Sequence, residues 1–288
     1  MLNNSIKYIC MRLGDKVLDL SQPQVMAIVN VTDDSFYEQS RCSADTTIAA
    51  AVERAVENGA SIIDIGGCSS RPMAGEVSVE EEWRRVEQGL RVARSVSADV
   101  VLSVDTFRAE VARRALEGFG PLIINDISAG EADAAMAKVV AEYDVPYVAM
   151  HMRGTPATMQ NLTDYPEGVV IEVVAYFQKR VAWLRERGVR EIILDPGFGF
   201  SKSLEQNYEL LSGVHRLKEL GCPVLVGVSR KSMIYRALGV TPAEALNGTT
   251  ALHWEALRQG ASILRVHDVR EACEVVKLFK QYEKGALQ

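Results

Sequence analysis

The sequence predicts an α/β fold, a (β/α)8 barrel with an N-terminal β-hairpin lid, and three observations predict it. Eight apolar runs of strand length recur, at 25–31, 61–65, 100–104, 122–127, 147–150, 191–194, 224–228 and 262–266. Segments of helical period lie between them. No low-complexity linker, charge block or shift in composition offers a domain boundary. Strand and helix alternating in this way suit a closed ring of parallel strands better than a doubly wound sheet. The expectation is one domain over residues 1–288, a TIM barrel, with residues 1–24 as a hairpin capping it.

The elements follow in order. Tyr8 to Leu20 reads as a hairpin turning at Gly14-Asp15. Among the helical segments the clearest carries Val170, Val173, Val174, Phe177, Val181 and Leu184, apolar at intervals of three and four, and stops at Gly188. Three helix starts are marked independently of apolar spacing. Ser78 with Glu81, Ser203 with Gln206, and Thr241 with Pro242 and Glu244 each resemble a capping box, in which a hydroxyl and a side chain three residues on satisfy backbone N–H groups.

With 288 residues, 48% of them hydrophobic, the chain can bury a large core. A net charge of −6 argues against a nucleic-acid or anionic-membrane surface, so an anionic ligand must meet a local cluster of cations. The apolar runs are well short of the ~20 residues a membrane helix needs, and Met1-Leu2-Asn3-Asn4-Ser5 does not open a signal peptide. A soluble, cytoplasmic protein is expected. Five scattered cysteines without a Cys-x-x-Cys pair suggest neither a disulfide framework nor a zinc site. Cys68, in a Gly-Gly-Cys-Ser-Ser turn, has no evident histidine base in the sequence and is expected to be a small buried thiol rather than a nucleophile.

The residues at the strand ends carry the chemistry. They are Asn30, Ser69-Ser70-Arg71, Asp105, Asn125, His151, Asp195, Ser229-Arg230-Lys231, and Arg265 with His267. A barrel brings all of these to one face, where enzymes of this architecture keep their active sites. Each residue alone has a bland explanation: Asp105-Thr106 could cap the helix that follows, and Asn125-Asp126 and Asp195-Pro196-Gly197 could form turns. Together they divide into two coherent groups. Asp105, Asn125, Asp195 and Lys231 can bond a flat heterocycle, the carboxylates and amide on an amidine-like edge and the lysine on a carbonyl. Asn30, Arg71, Arg265 and His267 suit a phosphate or pyrophosphate, with the Asn30 amide available to a divalent cation.

Seven segments resemble, in order, the signatures of the dihydropteroate synthase family. They are Ala27-Ile28-Val29-Asn30-Val31-Thr32-Asp33-Asp34-Ser35-Phe36, Ile63-Asp64-Ile65-Gly66-Gly67-Cys68-Ser69-Ser70-Arg71-Pro72, Ser103-Val104-Asp105-Thr106, Ile124-Asn125-Asp126-Ile127-Ser128, Asp195-Pro196-Gly197-Phe198-Gly199-Phe200, Ser229-Arg230-Lys231 and Arg265-Val266-His267-Asp268. The resemblance spans about residues 25–280. It implies condensation of 6-hydroxymethyl-7,8-dihydropterin pyrophosphate with p-aminobenzoate, in an SN1-like sequence where pyrophosphate leaves before the arylamine attacks. Mg2+ is the implied cofactor, with Asn30 as the metal ligand. Asp105, Asp195, Lys231, Arg265 and His267 are the implied catalytic residues. The implied substrate contacts are these five with Asn30, Asn125, Ser70, Arg71, Ser229 for the aminobenzoate carboxylate, and Phe36, Pro72 and Phe198 as walls of its ring. A homodimer and competition by sulfonamides are also implied.

The chain departs from the family at Asp33, usually proline, at Cys68, usually glutamate, and at Ser70, usually threonine. The first departure suggests a more mobile first loop, and the second removes a negative charge beside Arg71. Two rival readings share the barrel: a pterin-barrel methyltransferase using a methyl-folate, which has no need of a pyrophosphate site, and a non-catalytic pterin-binding protein.

Overall fold

This computed structural model describes residues 10–31, 41–68 and 77–286. Two short strands, β1 (Cys10–Leu13) and β2 (Lys16–Asp19), pair antiparallel, turning where the sequence predicts at Gly14. Gly14 has φ +59°, and a Cβ there would lie 2.6 Å from Pro121, so glycine serves both the turn and its seat against the barrel.

Eight parallel strands follow, β3 (Gln24–Asn30), β4 (Ile62–Gly66), β5 (Val101–Asp105), β6 (Ile123–Asp126), β7 (Tyr147–Met150), β8 (Ile192–Asp195), β9 (Leu225–Val226) and β10 (Ile263–Val266). Their order is β8-β7-β6-β5-β4-β3-β10-β9. A bridge between Leu194 and Val224, with the Leu194 N–H on the Pro223 carbonyl at 2.9 Å, closes β8 on β9. β9 is shorter than the apolar run at 224–228 because its continuation, Gly227 and Val228, leaves the ladder for the loop that carries Ser229 and Lys231.

The helices ring the strands: α1 (Arg41–Glu57), α2 (Val79–Val96), α3 (Ala109–Phe119), α4 (Met136–Tyr143), α5 (Val169–Glu186), α6 (Leu204–Ser212), the short α7 (His215–Lys218), α8 (Ser232–Leu238), α9 (Leu246–Arg258) and α10 (Val269–Ala286). Ser78 accepts from the Glu81 N–H, and Ser203 with Gln206 completes a reciprocal capping box. The third box, Thr241 with Glu244, encloses a single 3-10 turn, Pro242–Glu244, and α9 begins beyond it.

Strand side chains alternate with period two, and this divides the core. Outward residues such as Ile63, Leu102, Ile124, Leu194, Val226 and Leu264 pack under the helices in the main apolar cluster. Inward residues Met26, Ile62, Ile123, Val148, Ile193, Leu225 and Ile263 form a separate cluster inside the barrel, with Met11, Leu18 and Leu20 of the hairpin region against it. The hairpin is therefore a plug for the N-terminal end. Two residues further along the same inward face the chain carries Asp64, Ser103, Asn125, Asp195 and Arg265. The polar layer lies at the end away from the plug.

Candidate active site

Asp105 ends β5 facing inward, and it caps nothing. The N-terminus of α3 is held instead by Asp133, whose Oδ2 accepts from the Ala109 N–H at 2.8 Å. The neighbouring Thr106 hydroxyl shares in that helix start, accepting from the Arg108 N–H at 3.2 Å while it donates to buried Glu82, which also takes the Arg108 guanidinium. Asp105 Oδ2 accepts from Arg265 at 2.6 Å, and the other side of that guanidinium reaches Asp64 Oδ2 at 2.7 Å. Asn125 donates to the same Asp64 oxygen at 3.0 Å. Two carboxylates thus clamp one arginine, and a fourth residue is locked to the clamp.

Asn125 and Asp126 are adjacent and do different work. Asp126 faces out and is a turn former, accepting from the Ser128 and Gly130 backbone N–H groups and from the Ser128 and Tyr147 hydroxyls. Asn125 faces in. Asp195 does both jobs: it is buried on the inward face, and its Oδ1 accepts from the Gly197 N–H at 2.8 Å.

The loop after β9 supplies Ser229 and Lys231. Arg230 between them, at φ +53°, turns away to a two-point ion pair with Asp268 at 2.8 Å. Lys231 donates to the Phe198 carbonyl and stands 4.9 Å from the Phe200 ring centre. Ser229 and His267 lie side by side, Oγ to Nδ1 3.1 Å, with the His267 N–H also on Oγ at 3.1 Å. Asn30 is exposed at the end of β3. Gly66 separates it from Asp105: a Cβ there would be 3.2 Å from Asn30 Oδ1 and 3.7 Å from Asp105 Cβ, so the glycine keeps open the gap between the two.

Confinement sets the ionisation. Burial, opposed by Arg265 and aided by Asp64, Glu82 and Asp126, raises Asp105 to about 7. Burial raises Asp195 as well, against the pull of Lys231. Lys231 is lowered to about 8 by burial, against Asp195. Burial and then Arg265 lower His267. For Arg265 burial disfavours the charge, but Asp64 and Asp105 more than offset it and the guanidinium stays charged. Cys68 is raised by burial and by Glu82, the opposite of what an activated nucleophile needs.

Asp105 raised to about 7 and Asp195 raised by burial, beside an arginine and a lysine, suit recognition of a flat, polar ring and a multiply charged anion. Residues 26–267 match the sequence profile of the family described as pterin binding enzyme.

The chain belongs to that family.

It is 43% identical to the dihydropteroate synthase of Escherichia coli over 268 residues, 91% of this chain and 92% of the relative. A solved Xanthomonas albilineans dihydropteroate synthase with 4-aminobenzoic acid superposes with a TM-score of 0.87 at 37% identity, covering 96% of this chain and 99% of the other. The same organism's enzyme in complex with 7,8-dihydropteroate gives 0.84 at 35%, covering 96% and 99%.

The structure brings together Asp105, Asn125, Asp195, Lys231 and Arg265, with Ser229 and His267 as a bonded pair and Asn30 at the rim. Phe36, Ser70, Arg71, Pro72 and the departure at Asp33 lie outside the described residues. One expectation is corrected. Phe198 is fully buried in the main core and cannot wall a ligand; it offers only its carbonyl, to Lys231. Positive φ at Gly197 and Gly199, +71° and +81°, breaks the strand's alternation; Phe198 goes to the main core under the helices and Phe200 to the mouth. There Phe200 packs beside Ile127, Met150, Met152, Met159 and Phe107.

Sequence reasoning passed over Asp64, Phe200 and Lys202. A signal for Asp64 was available: a carboxylate inside the run Ile62-Ile63-Asp64-Ile65 is a buried charge that requires a partner.

Proposed function

We propose that this chain condenses 6-hydroxymethyl-7,8-dihydropterin pyrophosphate with p-aminobenzoate, giving 7,8-dihydropteroate and pyrophosphate, the dihydropteroate synthase reaction of folate biosynthesis. The observation that carries the reading is the convergence of Asp105, Asn125, Asp195 and Lys231, from four separate βα units, beside a doubly clamped Arg265. In this reading Asp105, Asn125 and Asp195 bond the pterin's amidine-like edge and Lys231 its carbonyl. The C–O bond to pyrophosphate breaks first. Asp105 and Asp195 stabilise the positive charge that develops on the pterin methylene, while Arg265 and His267, with Arg71, stabilise the departing anion. The arylamine nitrogen of aminobenzoate then forms the new C–N bond, so no side-chain nucleophile is required. Phe200 and Ser229 receive the second substrate, and a sulfonamide, which mimics aminobenzoate, competes there.

Mg2+ is the proposed cofactor. Among the described residues no group of three or more acids, histidines or cysteines could hold a metal ion. Asn30 offers one neutral oxygen beside the Gly66 gap, which fits an ion whose remaining ligands are water and substrate phosphate. When bound, the ion neutralises charge on the leaving pyrophosphate.

The chain acts as a single cytoplasmic domain and as a homodimer through its late helices. Leu278 and Tyr282 are exposed on α10, and the Tyr282 ring meets Trp254 of α9 at 5.5 Å, an apolar surface that supports this assembly. Among the described residues no helix is long and apolar enough to cross a membrane.

An assay with both substrates and Mg2+, with and without a sulfonamide, tests the reading. Pyrophosphate and dihydropteroate should appear together and be suppressed by the sulfonamide. Methyl transfer without pyrophosphate would favour the methyltransferase, and calorimetric pterin binding without product would favour a binding protein.

A further inference from the structure

The proposed chemistry uses Lys231 but leaves a second buried lysine without a role. Lys202 is 5% exposed, and its partners are carbonyls and a ring nitrogen rather than a carboxylate. Nζ lies 3.0 Å from the Gly197 carbonyl, 2.9 Å from the Phe200 carbonyl and 3.0 Å from His151 Nδ1, so two carbonyls and one ring nitrogen surround it. Burial lowers both His151 and Lys202 well below their ordinary values, and the pair shares one hydrogen bond between Nδ1 and Nζ.

All of these contacts bear on the loop after β8. Gly197, Gly199 and Ser201 have φ of +71°, +81° and +49°, alternating with the two phenylalanines. That alternation turns three carbonyls toward two lysines: Gly197 and Phe200 to Lys202, and Phe198 to Lys231. The loop is also pressed on the end of β7, since a Cβ at Gly197 would lie 2.0 Å from the His151 carbonyl oxygen. Asn207 of α6 fixes the Gly199 N–H at 2.7 Å. The Gly197 peptide in turn holds Asp195 Oδ1, and the far end of the loop carries the Phe200 ring that faces Lys231.

We propose that Lys202 is a positioning residue: its Nζ donors gather the Gly197 and Phe200 carbonyls against His151 and so set where Asp195, Phe200 and Lys231 stand for the two substrates. It touches neither substrate. The kinetic consequence rests on the dihydropteroate synthase reading; the structural consequence does not.

Lys202→Met keeps the aliphatic stem and removes the donors. Backbone hydrogen exchange, thermal melting and steady-state kinetics are measured on wild type, Lys202→Met, Lys202→Arg and His151→Leu. In Lys202→Met, exchange at residues 197–201 should rise tenfold or more with other segments unchanged. The aminobenzoate KM should rise about tenfold and the pterin KM less than threefold, because Phe200 depends on the loop more than strand-borne Asp195 does. Lys202→Arg should recover part of the KM change. His151→Leu, which removes one partner of Lys202, should give a smaller effect of the same kind and decides the matter if Lys202→Met does not fold. Unchanged exchange in the loop overturns the proposal, as does uniform acceleration with a lower Tm and unchanged KM values. A wild type that releases no pyrophosphate would overturn the functional reading, while loop-confined exchange would still stand for Lys202.

Discussion

Asp64→Asn is the sharpest test of how the site is built. The Asp64 side chain is fully buried, its Oδ2 accepts from Arg265 at 2.7 Å and from Asn125 at 3.0 Å, and its Oδ1 has no partner. Removing one member of a buried ion pair costs about 3–5 kcal/mol when the other charge is stranded. Here Arg265 keeps Asp105 at 2.6 Å, and asparagine keeps one acceptor oxygen, so the stranding is partial. Losing a charge-assisted hydrogen bond costs about 1.5–3 kcal/mol, and relief of the half-satisfied carboxylate lowers that, leaving a loss of about 2 kcal/mol. Urea denaturation at neutral pH should show that shift. Activity should fall further, because Arg265 is then held from one side only; a ten- to hundredfold loss of kcat/KM corresponds to about 1.4–2.8 kcal/mol of transition-state stabilisation. Asp99→Asn is the control, its side chain 99% exposed and its only ion-pair contact among the described residues at 3.6 Å to Lys16. A variant with wild-type stability and wild-type kcat/KM would refute the clamp; lost stability with intact kcat/KM would reduce Asp64 to a packing role.

Four more outcomes follow from the geometry. The free-enzyme pH profile of kcat/KM should rise near pH 7 as Asp105 ionises and fall near pH 8 as Lys231 loses its proton, the two limbs belonging to a coupled cluster; a flat profile from 6 to 9 contradicts this. Because folding raises Asp105 from 3.8 to about 7, the native state binds the extra proton and stability falls as pH rises through that window, so Asp105→Asn should flatten this part of the stability curve while abolishing activity. Gly197→Ala places a Cβ 2.0 Å from the His151 carbonyl oxygen at φ +71°, and should cost about 2–5 kcal/mol in denaturant unfolding, overpacking and left-handed strain acting together. Phe198→Ala should cost about 3–5 kcal/mol of stability as a cavity mutation, whereas Phe200→Ala should spare stability and raise the aminobenzoate KM; the reverse assignment would restore Phe198 as the wall.

An apolar run over 25–31 or 61–65, too short for a helix, reads as a strand buried on both faces, and a barrel then sends every strand end to one mouth. Hence eight strands, the hairpin turn at Gly14, the helix ended near Gly188 and the inward Asp105, Asn125 and Asp195 were legible in the sequence. The capping hydroxyls of Ser78 and Ser203 were legible for the same reason, since their partners lie three residues away.

What the tertiary structure alone decided lies where contacts are long-range or the period fails. Asp64 meets Arg265 across 201 residues of chain, and nothing local in either segment names the other. Ser229 and His267, to which the family resemblance gives different substrates, are hydrogen-bonded because β9 and β10 are neighbours. Phe198 and Phe200 have the same parity, and a strand would point them alike; positive φ at the intervening glycines separates them, one into the core and one to the mouth. Sequence by itself determined the barrel and the chemical groups at its mouth, because both follow from local periodicity. Which aromatic ring turns to the mouth was decided by three-dimensional packing, because a loop freed from strand geometry takes its directions from what it packs against.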